Sequence, residues 1–240
     1  MQKYALITGA SGGIGQATAL ELAKNGWNLY LHYHQNEKEI KKLLAKVVKY
    51  KVEAILIQAD LSKDADVQKV IDHIFHIDAI VYSSGIAPYH LFVDVDDETI
   101  ETMLQLHIKS PMKLVRTLLP KLMRNQTSHI ILISSIWGQT GAACEVLYST
   151  VKGAQIALVK ALSKEVARNG VFVNAVAPGA VKTNMLASFS DEDLKDLEED
   201  IPIGRLAKPE EIAQTISFLL SNKASYITGQ VLAVNGGWYT

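Results

Sequence analysis

Residues 4–15 read YALITGASGGIG, and they predict a strand, a glycine-rich loop and the start of a helix. The first five residues, Tyr4–Thr8, form an apolar run that predicts a buried strand. A glycine-rich loop follows, and residues 16–24 have the composition of a helix. Glycines let a backbone approach a pyrophosphate closely, and the N–H groups at a helix N-terminus stabilise its charge. The order indicates a nucleotide site, although a tight turn between strand and helix would use the same glycines.

The composition limits the classes of function. The chain has 240 residues, 48% hydrophobic and 20% charged, which suffices for one core without disulfides or a metal. Its 24 Lys and Arg balance 25 Asp and Glu, so no positive excess favours nucleic acid or a membrane surface. A single cysteine, Cys144, and the absence of a signal-peptide pattern favour the cytoplasm. We expect a cytoplasmic protein whose partner is a small molecule.

Seven short apolar runs predict strands, and most are separated by stretches long enough for a helix. The runs are Tyr4–Thr8, Leu29–Tyr33, Ala54–Gln58, Ala79–Tyr82, Ile130–Ile133, Val171–Ala177 and Val231–Val234. Their nearly continuous apolar character indicates a parallel sheet that is covered on both faces. Right-handed crossovers then predict a three-layer, doubly wound α/β (Rossmann) fold in a single domain, residues 1–240. Ligands of such sheets bind beyond the carboxyl ends of the strands.

Two segments carry further local predictions. The stretch Asp97–Arg124 has the pattern of a helix, and Pro111 should bend it or split it. The stretch Ser188–Asp200 contains 7 acidic residues among 13, and we expect a mobile segment near the site entrance.

A second motif lies far from the glycine loop. Tyr148 and Lys152 are four residues apart, so a helix would place both on one face. Such a pair is common by chance on surface helices, where the lysine extends its stem along an aromatic ring. Ser134 and Ser135, however, follow a predicted strand directly, where an α/β sheet presents catalytic side chains.

Together these residues resemble the short-chain dehydrogenase/reductase family over essentially the whole chain. Thr8, Gly9, Gly13 and Gly15 match its cofactor motif, and Ser135, thirteen residues before Tyr148, matches its serine. The resemblance implies a catalytic set of Ser135, Tyr148 and Lys152. It also implies cofactor-binding residues, which are Thr8, Gly9, Ser11, Gly13, Ile14, Gly15, His34, Asp60, Leu61, Gly85, Tyr148, Lys152, Pro178, Gly179, Val181 and Thr183.

The chemistry of carbonyl reduction explains these residue types. The carbonyl oxygen must take up a proton as hydride reaches the carbon, and Tyr148 is the predicted donor. An adjacent ammonium, that of Lys152, lowers the pKa of a phenol toward neutrality. Lys152 should also hold the nicotinamide ribose, while the hydroxyl of Ser135 orients the carbonyl oxygen. No metal is required.

The chain departs from the family pattern at two places. The family sequence Asn-Asn-Ala-Gly after the fourth strand is here Tyr82-Ser83-Ser84-Gly85, and Gly85 is still expected under the adenosine. The asparagine that ordinarily connects the lysine to solvent through a water aligns with His107. A neutral imidazole both accepts and donates a hydrogen bond, so His107 is either a member of this relay or a packed helix residue.

The end of the second predicted strand bears on the choice of cofactor. Residues 31–36 read LHYHQN and contain no carboxylate to bind a ribose 2′-hydroxyl and repel a 2′-phosphate. This favours NADPH over NADH. The arginine expected in an NADPH-dependent relative is also missing. His32, His34 and Lys38 are left as the basic groups that could bind the 2′-phosphate.

Two subfamilies supply substrate hypotheses. The stretch 204–211 looks like the 3-oxoacyl-acyl-carrier-protein reductases. Residues 135–148, which include Trp137, Cys144 and Glu145, together with His107 more closely resemble the bacterial elongation factor P 5-aminopentanone reductases. Those enzymes reduce a ketone on a lysine modification of a translation factor. Trp137, Cys144 and Glu145 flank Tyr148, so each of them either lines the entrance to the substrate site or belongs to ordinary loop packing.

Charge gives some discrimination between the two substrates. Acyl carrier protein is acidic, yet rim positions that are often arginine in its reductases are Gln126 and Asn169 here, with Arg124 and Arg168 nearby. Glu145 would suit a substrate that carries an amine.

The alternative from another class is an NADP-sensing protein without turnover. Relatives are usually homotetramers, and Leu114, Leu118, Ala157 and Leu158 belong either to such an interface or to the core.

Overall fold

The computed structural model describes residues 2–187 and 189–240, and within them the seven predicted strands form one parallel sheet. The strands are β1 (Tyr4–Thr8), β2 (Asn28–Tyr33), β3 (Ala54–Gln58), β4 (Ala79–Tyr82), β5 (Ser128–Ile133), β6 (Val171–Pro178) and β7 (Val231–Val234). Their spatial order is β3-β2-β1-β4-β5-β6-β7, with every neighbouring pair parallel. The prediction of a doubly wound α/β sheet is confirmed.

Helices cover both faces of this sheet. They are α1 (Gly13–Lys24), α2 (Glu37–Val47), α3 (Asp64–Asp72), α4 (Asp97–Leu104), α5 (Ser110–Leu122), α6 (Trp137–Thr140), α7 (Val146–Val166), α8 (Asp191–Asp200) and α9 (Pro209–Leu219). Among the described residues, no helix is long and apolar enough to cross a membrane.

Alternate residues of each strand face opposite cores. In β1, Ala5 and Ile7 pack with α1, α2 and α9, whereas Leu6 packs with α3, α5 and α7. Leu114 and Leu118 of α5 are fully buried in this second core, so the core and not a surface explains these two leucines. Ala157 of α7 is exposed, and Leu158 is partly buried against the same core.

The direction of chain crossing reverses between β1 and β4, because β1 leads to β2 on one side while β4 leads to β5 on the other. Such a reversal opens a crevice at the carboxyl edge of the sheet. Thr8 ties the two strand ends together. Its hydroxyl accepts from the N–H groups of Ser83 and Ser84 at 3.1 and 3.2 Å, and the Ser83 hydroxyl donates to the Thr8 carbonyl at 2.8 Å.

The helix predicted over 97–124 is interrupted by a π turn. Residues 105–109 form this turn between α4 and α5, and His107 lies within it, fully buried. Proline has no N–H, and its ring clashes with the carbonyl four residues earlier. Pro111, in the first turn of α5, stands four residues after His107. The proline thus leaves the carbonyl of His107 without its regular helical donor.

The acidic stretch, expected to be mobile, contains a regular helix. Ser190 caps α8 by accepting from the N–H of Asp193, whose carboxylate accepts in return from the Ser190 N–H. This reciprocal capping and the acidic first turn stabilise a helix N-terminus. Ser188 lies outside the described residues.

Candidate active site

The glycine loop lies at the carboxyl end of β1 and opens directly into α1. Gly9 has a φ of +64°, and a Cβ at Gly15 would lie 2.2 Å from the Gly9 carbonyl oxygen. Side chains are therefore excluded from both positions by conformation and by space. Gly12 caps α1 without a side-chain hydrogen bond, and the first turn of α1 has no acidic residue. The helix N-terminus is thus electrostatically suited to an anion.

Residues that follow β6 pack against this loop. A Cβ at Gly13 would lie 2.5 Å from Thr183 Cγ2, so glycine permits the approach of Thr183. Gly179 is similarly close to Asn235, and Val181 forms a bridge with Ala207. The predicted cofactor residues 8–15 and 178–183, which are far apart in the sequence, are therefore neighbours in space.

His32 supports the loop from below, a role that the sequence does not reveal. Its Nδ1 accepts from the Gly9 N–H at 3.1 Å, and its Nε2 donates to the Ala59 carbonyl at 3.0 Å. Burial lowers the pKa of His32 to about 4. A neutral imidazole whose two nitrogens are both hydrogen-bonded cannot form an ion pair with a phosphate. The prediction that His32 could bind the 2′-phosphate is therefore wrong.

Asp60 and His34 mark the far end of the crevice. The Asp60 carboxylate accepts from the N–H and hydroxyl of Ser62 at 3.0 and 2.6 Å and lies 3.6 Å from His34 Nε2. Partial burial opposes ionisation, but the Ser62 hydrogen bonds and His34 outweigh it and lower the Asp60 pKa. Leu61 is buried, and its carbonyl accepts from the Ser110 hydroxyl at 2.6 Å.

Ser135, Tyr148 and Lys152 come together at the end of β5. Lys152 Nζ donates to the Ile133 carbonyl at 2.7 Å and lies 5.5 Å from the centre of the Tyr148 ring. The Ser134 hydroxyl donates to the Lys152 carbonyl at 3.0 Å, which ties α7 to the strand end. Ser135 Oγ accepts from the Trp137 N–H at 3.2 Å. All three predicted catalytic side chains are buried.

Burial dominates the electrostatics of this cluster. It lowers the pKa of the Lys152 ammonium to about 7. It raises the pKa of the Tyr148 phenol, and the charge of Glu145 raises it further, while a hydrogen bond with Ser135 opposes both. The expectation that Lys152 lowers the Tyr148 pKa toward neutrality is therefore wrong for this structure, because burial has the larger effect. Tyr148 is protonated at neutral pH, as a proton donor must be.

His107 contacts Ile86 through its Nε2 atom and Tyr148 through its ring. Its Nε2 lies 3.0 Å from the Ile86 carbonyl oxygen and 3.2 Å from the Ile86 nitrogen, so either tautomer ties the ring to Ile86. Its ring meets Tyr148 edge-on at 6.0 Å. Burial first, and then the charge of Lys152, lower its pKa well below the usual value. The imidazole is neutral and is bonded away from Lys152.

Gly85 makes room for this ring. A Cβ at Gly85 would lie 2.6 Å from His107 Cε1, so a side chain there would displace the imidazole. Gly85, which the sequence predicts to lie under the adenosine, is therefore also required by the packing of the His107 ring.

The loop that precedes Tyr148 forms a rim beside the cluster. A small cavity there is lined by residues that include Pro88, Phe92, Cys144 and Glu145. Glu145 is half-buried, and burial raises the pKa of its carboxyl group. Cys144 has the largest effect on the exposed Tyr89 and raises its pKa, and the charges of Glu145 and Asp193 raise it further.

An aromatic pair forms another part of the surroundings. Trp137, two residues after Ser135, packs edge-on against Trp238 at 5.0 Å between ring centres. The C-terminal segment is thereby anchored beside the strand end that carries Ser135.

These residues fit a nicotinamide dinucleotide. The glycine cradle and the uncapped start of α1 suit a pyrophosphate, and Thr183 and Gly179 extend the crevice toward Tyr148. Ser84 Oγ, beside the loop, is buried without a hydrogen-bond partner among the described residues, as a group awaiting a ligand would be.

Comparison with known sequences agrees with this geometry. Residues 9–239 match a family model described as enoyl-(acyl carrier protein) reductase. The uncharacterized oxidoreductase YmfI of Bacillus subtilis is 52% identical over 241 residues, which cover 100% of each chain. The 3-oxoacyl-[acyl-carrier-protein] reductase FabG of Staphylococcus epidermidis is 34% identical over 244 residues, again covering 100% of each chain.

A solved structure shows the same architecture. The angucycline C-6 ketoreductase LanV with bound NADP superposes with a TM-score of 0.93 at 26% identity. The match covers 98% of this chain and 95% of that one.

The role of His32 predicts a pH-dependent stability. Its pKa of about 4 in the folded protein lies below the value of about 6.5 in an unfolded chain. Stability from neutral His32 is therefore complete above pH 6.5 and is lost as the pH falls toward 4, a loss on the order of 3 kcal/mol. We expect His32→Gln to flatten this dependence in denaturant unfolding at successive pH values.

The exposed His73 provides the control, because His73→Gln should leave the slope unchanged. Burial also lowers the pKa of His129 to about 4, so stability should retain some pH dependence in every variant. An undiminished slope in His32→Gln would contradict the assignment.

Proposed function

Because the chain belongs to the short-chain dehydrogenase/reductase family of oxidoreductases, we propose that it reduces a ketone to a secondary alcohol with NADPH. The observation that carries this proposal is the juxtaposition of Lys152 and Tyr148. A buried ammonium lies 5.5 Å from the ring of a buried phenol, at the strand end that also presents Ser135. A protein that only bound the nucleotide would need the glycine loop but not this acid–base pair.

Each side chain has a separate task in this reaction. A reduced nicotinamide supplies the hydride when it is bound. Ser135 donates a hydrogen bond to the carbonyl oxygen and fixes its orientation. Tyr148 transfers its phenolic proton to that oxygen as negative charge develops. Lys152, when protonated, stabilises the resulting phenolate, because an opposite charge nearby favours the ionised phenol.

The preference for NADPH rests on charge at the end of β2. Residues 34–36, directly after this strand, include no carboxylate, and His34 and Lys38 are both exposed there. The ketoreductase LanV was solved with NADP. We infer that Lys38 attracts the 2′-phosphate through its opposite charge and that His34 lies beside it as a hydrogen-bond donor.

We propose further that the ketone is carried by a protein and bears an amine, as in the 5-aminopentanone modification of elongation factor P. Glu145 supports this substrate, because a half-buried carboxylate at the rim gains an ion pair when a cationic amine binds. The acidic N-terminus of α8 adds negative potential to the same rim. The full-length relative YmfI is described only as an oxidoreductase.

The alternative substrate is a 3-oxoacyl group on acyl carrier protein. The FabG relatives favour it, at 34% identity over the whole chain. Against it, Gln126 and Asn169 are exposed neutral residues at positions where a basic side chain would meet an acidic carrier. Exposed Arg124 and Arg168 lie close by and weaken that objection.

Cofactor preference is tested by introducing the missing carboxylate. We expect His34→Asp to lower kcat/KM for NADPH by about tenfold or more, through repulsion of the 2′-phosphate, while leaving or improving kcat/KM for NADH. The measurement is steady-state kinetics with both cofactors on one ketone. His73→Asp, remote from the crevice, should change neither value. A wild-type preference for NADH would contradict the proposal.

Substrate class is tested by comparing two carriers. We expect NADPH oxidation with elongation factor P that carries 5-aminopentanone, and little with acetoacetyl-acyl carrier protein. Glu145→Gln should lower kcat/KM on the amine-bearing ketone by about tenfold relative to a neutral ketone such as ethyl acetoacetate, because an effect of the lost charge on Tyr148 is shared by both substrates whereas the ion pair is not. Glu98→Gln on the outer face of α4 is the control. Activity confined to the acyl carrier substrate would support the alternative.

A further inference from the structure

Gln155 connects the catalytic lysine to the π turn. Its Nε2 donates to the His107 carbonyl at 2.9 Å, and its Oε1 accepts from Lys152 Nζ at 3.4 Å. The side chain is 1% exposed. One amide thus spans the gap between the ammonium and the main chain of the helix break.

The sequence explains why the His107 carbonyl is free for this contact. In an α-helix it would accept from the N–H of residue 111, and Pro111 has none. The π turn over 105–109 directs the chain past α7, where Gln155 lies three residues after Lys152. Pro111 and Gln155 are therefore complementary, since one removes a donor and the other replaces it.

The acceptors around Lys152 are few. The Ile133 carbonyl and Gln155 Oε1 accept from Nζ, at 2.7 and 3.4 Å. The titratable groups that face it are Tyr148 of α7 and His107 of the π turn, with Glu145 acting on Tyr148. The ends of β5 and α6 present main chain and serine hydroxyls. No carboxylate balances the ammonium directly among these groups, so each neutral acceptor matters.

We propose that Gln155 is a positioning residue for the reaction, which holds Lys152 in its protonated form beside Tyr148 by bridging it to the His107 carbonyl. The inference rests on the proposed reduction, because only that chemistry requires a charged Lys152. An amide neither gains nor loses a proton near neutral pH, so Gln155 acts by hydrogen bonding and not by proton transfer. The family resemblance implies a water that connects this lysine to solvent, and here Gln155 contacts the lysine directly.

Two substitutions at this position have opposite expected effects on Lys152. Gln155→Met keeps the length of the side chain but removes the acceptor, so protonated Lys152 loses a hydrogen bond. Gln155→Glu keeps an acceptor and adds negative charge, which favours the ammonium. A merely structural role would give the same direction of change in both variants.

The test is an NMR titration of the lysine side chains in the protein without cofactor. The Lys152 signal is assigned by its absence in Lys152→Met. We expect the midpoint of Lys152 to fall by about one pH unit in Gln155→Met, as loss of one hydrogen bond to a charged group predicts, and to rise in Gln155→Glu. Ser163→Ala, a buried change farther along α7, should leave the midpoint unchanged.

The pH profile of kcat provides a second readout. Reduction needs protonated Lys152, so the decline of kcat at high pH should begin at lower pH in Gln155→Met and at higher pH in Gln155→Glu. If both variants leave the midpoint of Lys152 unchanged, or shift it in one direction, the proposal is wrong. If Gln155→Glu does not fold, the midpoint in Gln155→Met decides alone.

The titration requires no turnover. Failure of the wild-type protein to reduce any ketone would therefore refute the proposed function while the NMR result still decides the role of Gln155.

Discussion

The ammonium group of Lys152 is buried at the carboxyl edge of the sheet, and a buried charge is costly unless acceptors surround it. The Ile133 carbonyl provides the closer acceptor, and Gln155 provides the second. This cost lowers the pKa of Lys152 to about 7, so its charge is held only marginally at neutral pH. The arrangement of β5, α7 and the π turn follows from the need to place this group against Tyr148.

The π turn shows how an irregular stretch of helix contributes contacts to the candidate active site. Pro111 deprives the His107 carbonyl of its helical donor, and the chain forms a π turn instead of a regular helix. The turn buries the His107 ring against Gly85 and Tyr148 and presents its carbonyl to Gln155. Single π turns within α-helices are frequent at functional sites. Here the turn joins the crevice wall to the catalytic helix.

Much of this could be predicted from the sequence, because the signals are local. Continuous apolar runs identified all seven strands, and the spacing of Tyr148 and Lys152 identified one helix face. The roles of His32 and Gln155 could not be predicted, since their partners Gly9 and His107 lie 23 and 48 residues away. No pattern around a lone histidine or glutamine specifies such a contact. The acidic stretch was interpreted from composition alone, which overlooked the reciprocal cap between Ser190 and Asp193.

The proposed reduction depends on the Tyr148 phenol, which donates the proton as hydride is transferred. It is tested most directly by single-turnover kinetics of Tyr148→Phe, with NADPH affinity measured separately by fluorescence titration. The account predicts that ketone reduction slows by about a thousandfold or more, as expected for loss of an essential general acid, while NADPH still binds with a Kd within about threefold of wild type. Reduction at a rate near that of the wild-type protein would contradict the account.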